Sequence, residues 1–204
     1  GLTVPLALHL PMPLLCSLPT LPEAAKLITA PDPTLPEVTW QEQVQHCVAR
    51  VGQHGPVLEW ALALHTVPHF LRATYGATVE GLAHTASRLV HLSRAVAIPG
   101  VMVSLAVAQP VVAYRFLAAH LDHQGLAVPL HLKTPVLTGR DAALFQGSIW
   151  LGTLLCDGLG DSLQITSDLP AAEAMSLSYN ILQAARLRMS KTEFISCPSC
   201  GRTL

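Results

Sequence analysis

Two cysteines near the end of the 204-residue chain, in Cys197-Pro198-Ser199-Cys200-Gly201, have the spacing most suited to chemistry. Two thiolates separated by two residues can bind one metal, because the intervening turn brings both sulfurs to one side. Gly201 lets the backbone turn sharply after the second of them. Three chemistries share this spacing. One is a zinc-ribbon knuckle, often written C-P-x-C-G. Another is a thioredoxin-like redox pair, which needs its first Cys at a helix N-terminus in a β-α-β unit. The third is an iron–sulfur cluster completed by ligands elsewhere. The pair alone does not choose among them.

Other candidates have simpler explanations. Asp157-Gly158-Leu159-Gly160-Asp161 could suggest a phosphate or metal loop. It falls between a helix and a strand, on the strand's amino side, where parallel α/β folds keep stability rather than ligands. Gly158 or Gly160 fits a left-handed helix cap there. Thr166, Ser167 and Asp168 sit at the opposite, carboxyl end of that strand, and Ser167 or Asp168 is expected to cap the helix that Pro170 begins. Of ten histidines, only His65/His69 and His120/His123 have ligand-like spacing. Neither pair has cysteines or carboxylates nearby in sequence to complete a site, so both are expected to be ordinary surface or core residues. Arg186, Arg188 and Lys191 cluster before the Cys pair, where the helix macrodipole favours cations. Cys16, Cys47 and Cys156 lie among apolar residues and are expected to be small buried hydrophobes. No Gly-rich phosphate loop, H-E-x-x-H or G-x-S-x-G occurs.

The elements that would carry these residues alternate in period. Val101–Ala108 predicts a buried strand, with Val101 and Val103 inside. Pro110 opens a helix that stops at Gly125. Val128–Leu132 is the next strand, Arg140–Cys156 a helix, Ser162–Thr166 a strand, and Pro170–Met189 a long helix. Leu130 and Leu163 are expected to be buried. Thr192–Ser196 is a last strand-like run, which would put Cys197 and Cys200 on a turn at its end. This alternation predicts an α/β fold of β/α-barrel-like parallel sheet units, although an open doubly wound sheet satisfies the same pattern. In the first half, Thr39–Gly52 and Thr78–Leu92 look helical and Pro56–Leu64 is an apolar run of either type. The Pro-rich opening through Pro36 predicts loops, and a linker there is as good a reading as a strand.

Composition limits the function classes. Lys plus Arg number 12 against 13 Asp plus Glu, so no basic field supports counterion-driven nucleic-acid binding. Half the residues are apolar and the mean hydropathy is +0.43, which excludes a disordered chain. The uncharged run Ala95 to Tyr114 is long enough to span a bilayer, but Pro99-Gly100 and Pro110 divide it and favour a buried strand. Five irregularly spaced cysteines suit a reducing compartment better than a disulfide framework. So few charges on so apolar a chain suggest that more protein covers part of its surface. With Gly1 first and the Cys pair at the very end, the chain is expected to be a fragment of a longer polypeptide.

The C-terminal third carries a specific resemblance. LGTLLCDGLGDSLQI and NILQAARLRMSKTEFISCPSCGRTL resemble the 4-hydroxy-3-methylbut-2-enyl diphosphate synthases, especially the long three-domain form of plants and some bacteria. There a segment like LLxDGLGD precedes a helix ending in RxRxxKTE, a short strand and CPSCGRTL. HLDHQGLAVPLHLK also looks like a loop and strand of that form's extra domain. The family has an N-terminal (β/α) barrel, a second barrel-like domain in the long form, and a C-terminal domain holding a [4Fe-4S] cluster. The resemblance therefore implies a barrel-like region over residues 1–190, with 1–38 as a linker in one reading, and the start of the iron–sulfur domain at 191–204. It implies an oxidoreductase of isoprenoid biosynthesis, by the methylerythritol phosphate pathway. Such an enzyme reductively opens 2-C-methyl-D-erythritol 2,4-cyclodiphosphate, taking electrons from ferredoxin or flavodoxin. Cys197 and Cys200 match the first two of the three cluster cysteines; the third and a glutamate ligand would lie further on. Arg188 is a candidate contact to the diphosphate, with helix-end charge as the competing explanation. A homodimer, located in the cytoplasm or in a plant's plastid stroma, is implied as well. The fragment alone is expected to be inactive. The other reading is a non-catalytic α/β domain with a zinc-ribbon module that binds a partner.

Overall fold

The computed structural model describes residues 7–18, 26–54, 56–96 and 100–192. Their strands form one six-stranded parallel sheet in the order β1-β2-β3-β4-β5-β6, each strand beside its successor in sequence. The strands are β1 (Ala7–His9), β2 (Lys26–Thr29), β3 (Val57–Leu62), β4 (Val101–Leu105), β5 (Leu130–Lys133) and β6 (Ser162–Gln164). Between and after them come α1 (Met12–Ser17), α2 (Glu37–His54), α3 (His69–Tyr75), α4 (Val79–Ala95), α5 (Pro110–His123), α6 (Arg140–Cys156) and α7 (Ala171–Ala184). In a doubly wound sheet the strand order reverses at a switch point, which sends helices to both faces. Here the order never reverses, so same-handed crossovers put every helix on one face and the sheet curls as half a barrel.

Burial divides the two faces. Leu27, Leu58, Trp60, Leu62, Val103, Leu105, Leu130 and Leu132 point to the helices and are buried. There they meet Trp40, Val44 and Val48 of α2, Leu82 and Leu89 of α4, Leu117 of α5 and Leu154 of α6. Residues of the opposite alternation form the concave face, and these are mostly polar. Trp60 donates its indole N–H to Ser93 Oγ at 3.2 Å, so even this core side chain has its polar atom paired.

Local chemistry explains the element ends. Thr78 caps α4 by accepting from Gly81 N at 3.3 Å, with Glu80 in the first turn. Pro110 starts α5, and Gly125 at φ +66° stops it. Strand β5 begins at Leu130 rather than Val128, because Pro129 has no N–H to give the ladder. Where β4 and β5 end, Tyr114 of α5 takes over the pairing. Its hydroxyl accepts from Leu105 N at 2.9 Å and Lys133 N at 3.1 Å, and donates to His131 O at 2.6 Å. Tyr114→Phe removes one buried hydroxyl and leaves three backbone groups without it. We expect a loss of about 2–3 kcal/mol in urea unfolding; a loss below about 0.5 kcal/mol would mean that water substitutes.

The structure corrects several expectations. The Pro-rich opening holds β1, α1 and β2 rather than loops alone; Pro13 sits in the first turn of α1, where a missing N–H breaks no helical bond. The run from Ala95 to Tyr114 is divided as expected, its described residues falling at the end of α4, in strand β4 and at the start of α5. Among the described residues no helix is long and apolar enough to cross a membrane. Val103 and Leu130 are buried as expected, whereas Val101 and Leu163 are only half-buried, Val101 at a strand start and Leu163 on the edge strand. Cys156 is exposed, not buried. The buried stripe of α6 runs through Ala143, Gly147, Leu151 and Leu154, and Cys156 falls off that 3.6-residue period.

Helix α7 ends at Ala184, so Arg186, Arg188 and Lys191 lie beyond it and do not occupy its last turn. Arg186 takes a left-handed φ of +60°, and Leu187 N bonds back to Leu182 O at 3.0 Å. The chain then wraps the Gln183 amide, whose oxygen accepts from Ser190 N and Lys191 N at 3.1 and 2.9 Å.

Candidate functional site

The most polar cluster lies at the centre of the concave face. Glu59, the one charged residue of β3, is fully buried there. In parallel pairing, registered residues share a face, so Ile28, Glu59 and Met102 point inward together. Lys26 of β2 reaches Glu59 Oε2 at 2.6 Å, Lys133 of β5 pairs with Oε1, and Ser104 of β4 donates to Oε1 at 2.6 Å. Burial pushes the Glu59 carboxyl up, but Lys133, Lys26 and Ser104 outweigh it and bring it down to about 2. Beside it His131 contacts Ser162 Oγ at 2.7 Å and Gln164 Oε1 at 3.4 Å. Burial lowers the His131 pKa, and Lys26 and Lys133 add to that effect against Glu59.

This arrangement is poor at proton transfer. A carboxylate near pKa 2, saturated by two ammonium groups and a hydroxyl, is neither a base nor an acid at neutral pH. It instead clamps four adjacent strands, and one lysine charge remains uncancelled on the concave face. Sequence reasoning missed the cluster. The signal available was one carboxylate inside the apolar VLEWAL run, which requires a buried cationic partner.

The strand ends are also committed to structure. Asp157-Gly158 closes α6: Gly158 adopts φ +77° and Leu159 N bonds to Leu154 O at 2.9 Å. Asp161 accepts from Leu130 N at 2.8 Å, so the loop is the turn expected from its position. At the carboxyl ends, Thr134 Oγ1 accepts from Thr166 N at 2.9 Å. Asp168 does not cap α7. Its carboxylate accepts from Gly139 N, at the start of α6, at 2.9 and 3.1 Å, while Pro170 holds the α7 cap position. Ser167 accepts only a 3.4 Å bond from Leu169 N.

Of the histidine pairs, His65 and His69 are exposed, and His120 lies edge-on to His84, whose ring stacks on Tyr75. Among the described residues no three His, Cys, Asp or Glu side chains converge on a possible metal site. Cys197, Cys200 and nearly all of the Thr192–Ser196 run lie outside the described residues.

Arg188 borders an open groove of about 520 Å³ between β6 and the second half of α7, lined also by Leu163, Met175, Tyr179 and Leu187. Its guanidinium lies 5.2 Å from the centre of the Tyr179 ring. Because α7 runs back from the carboxyl end of β6, this groove is at the amino ends of the strands. The structure thus separates Arg188 from the concave cluster.

No family model matches the chain. It is 47% identical over 117 residues to 4-hydroxy-3-methylbut-2-en-1-yl diphosphate synthase (flavodoxin) of Chlorobaculum tepidum, covering 57% of this chain and 16% of that protein. It is 34% identical over 166 residues to the synthase (ferredoxin) of Prochlorococcus marinus, covering 79% of this chain and 38% of the other. A Synechococcus relative of the same name gives 34% over 164 residues, with 78% and 39% covered. The chain thus spans two fifths or less of the length of these relatives. By sequence it is a homologue of part of the 4-hydroxy-3-methylbut-2-en-1-yl diphosphate synthases.

Proposed function

We propose that this chain is part of a longer polypeptide that reductively converts 2-C-methyl-D-erythritol 2,4-cyclodiphosphate to the linear hydroxymethylbutenyl diphosphate. Ferredoxin or flavodoxin is the proposed electron donor, and the cytoplasm or plastid stroma the proposed location. The carrying observation is identity of 47% over 117 residues to a protein bearing that enzyme's name. The surface agrees with a larger assembly, since Phe145 and Ile149 on the outer face of α6 are 62% and 63% exposed. A homodimer is part of the proposal.

The described half-barrel supplies a scaffold. Its concave carboxylate is neutralised from within and its strand ends are bonded to loops, so no reaction step is assigned to it. Nor do its residues fit an iron–sulfur group: Cys16 and Cys47 lie against each other under α1, and Cys156 is isolated on α6. We assign the cluster to Cys197 and Cys200 on the resemblance of their motif to that of the family. Two thiolates fall short of the about four ligands a cluster takes, so the other ligands must come from elsewhere in the polypeptide. Such a cluster supplies the electrons of the reduction.

The test is anaerobic reconstitution of the complete polypeptide with iron and sulfide, followed by turnover of the cyclic diphosphate with reduced flavodoxin. Formation of the linear diphosphate supports the proposal. Retention of zinc with no reductive turnover would overturn it in favour of the binding-module reading. Arg188 is proposed as a diphosphate contact. Arg188→Ala should raise KM about 10-fold or more with kcat little changed, and Arg188→Lys should recover part of the loss. An unchanged KM would leave Arg188 with only its packing on Tyr179.

A further inference from the structure

The packing of α1 on α2 brings two thiols together away from any residue used above. Gln43, Cys47 and Arg50 follow one another on one face of α2 at spacings of four and three. The residues on either side of Cys47 in this stripe both touch Cys16 of α1. Cys16 Sγ is 3.9 Å from Gln43 O, and Arg50 Nη1 donates to Cys16 O at 2.7 Å while Nη2 donates to Leu18 O. Cys47 lies between them on this stripe, and its thiol interacts with that of Cys16. The two thiols differ in access: Cys47 is fully buried, whereas Cys16 is only partly buried.

We propose that Cys16 and Cys47 are a reversible dithiol–disulfide pair that takes oxidising equivalents from low-molecular-weight disulfides and, when oxidised, fastens α1 to α2. Cys16 is the attacking thiol, since only it meets solvent. Its thiolate attacks one sulfur of the external disulfide, expels one thiolate and forms a mixed disulfide. Cys47 then attacks the Cys16 sulfur and expels the second small thiolate, its proton passing to that thiolate as it leaves. Two protein thiols are oxidised and one external disulfide is reduced to two thiols, so atoms and electrons balance.

The electrostatics agree with this order. A hydrogen bond from Cys47, with help from the Arg50 charge and against burial, brings the Cys16 thiol down to about 7, whereas the Cys16 partner and burial push Cys47 up. Cys16 is therefore about half thiolate at neutral pH, and Cys47 remains a resolving thiol. The staple would act on the sheet edge, because α1 follows directly from the short edge strand β1.

The test exposes the 204-residue chain to glutathione disulfide at neutral pH without oxygen, then alkylates and maps unreduced peptides by mass spectrometry. Expected is a Cys16–Cys47 cross-link lacking two hydrogen atoms, reversed by dithiothreitol, with a rise in Tm of about 5–10 °C. In Cys47→Ala, which leaves only a small cavity, a glutathione adduct should accumulate on Cys16; in Cys16→Ser, Cys47 should stay unmodified. On the wild type, the rate of Cys16 alkylation should rise with pH through an inflection near 7. A glutathione adduct that persists on wild-type Cys16, a Cys16 that never reacts, or cross-links from Cys16 only to other cysteines would each overturn the proposal.

Discussion

Glu59→Ala should cost the fold about 3–5 kcal/mol, a large share of the ~5–15 kcal/mol that holds a typical domain together. The cost does not come from the lost attraction alone. Removing the carboxylate leaves Lys26 and Lys133, 22% and 15% exposed, as uncompensated like charges on one sheet face, and leaves the Ser104 hydroxyl without its acceptor. Urea unfolding followed by circular dichroism measures the loss. If Glu59→Ala does not fold, Glu59→Gln keeps the shape and still exposes the charge imbalance. A triple change to Glu59→Leu, Lys26→Met and Lys133→Met should recover most of the loss, because an apolar replacement removes the desolvation cost of all three charges. Wild-type stability for Glu59→Ala would mean that the cluster is only a surface ion pair, worth about 0–1 kcal/mol.

The same carboxylate sets an acid limit. Its pKa falls on folding from 4.5 to about 2, so the folded state favours the ionised form. That stabilisation is complete above the unfolded-state pKa and is lost as pH falls through the folded one. The window is therefore about pH 4.5 down to 2, with about 3 kcal/mol of stability at stake. In Glu59→Gln the slope of stability against pH across that window should be shallower than in the wild type. Equal slopes would assign the acid limit to other carboxylates.

Cys197→Ser and Cys200→Ser should each abolish the visible cluster absorption of the reconstituted complete polypeptide and lower its reductive turnover ~100-fold or more. Disturbing a metal site's outer partners alone commonly costs 10–100-fold, and loss of a ligand should cost more. Cys156→Ser provides the control. Its thiol is exposed on α6, far in sequence from the pair, and its replacement should leave both spectrum and turnover unchanged. The assignment fails if either C-terminal variant keeps the absorption and full turnover.

Legibility in the sequence followed how local the physics was. Helix α6 could be read from Arg140 to Cys156 because its signals are short-range: apolar residues at helical spacing and the Gly158 cap. Thr78 before α4 and Pro110 with Gly125 around α5 are signals of the same kind. Helix α7 was read too long, since the left-handed Arg186 and the wrap around Gln183 arise from contacts that propensity does not encode. The opening was harder still. Strands β1 and β2 have three and four residues, too short for a period-2 pattern to rise above the prolines around them.

Alternation of strand and helix, read from periodicity, determined that this protein is α/β, and the TEFISCPSCGRTL stretch determined which enzymes it resembles. The choice between a doubly wound sheet and a curled, singly wound one was decided only in three dimensions. It depends on which neighbour each crossover selects, which the period of a strand or helix does not encode. Tertiary structure alone also joined Lys26, Glu59, Ser104 and Lys133, separated by up to 107 positions, because register carries one face of four strands to a common centre. The Cys16–Cys47 contact has the same origin: each thiol looked like an ordinary apolar residue until packing set α1 across one stripe of α2.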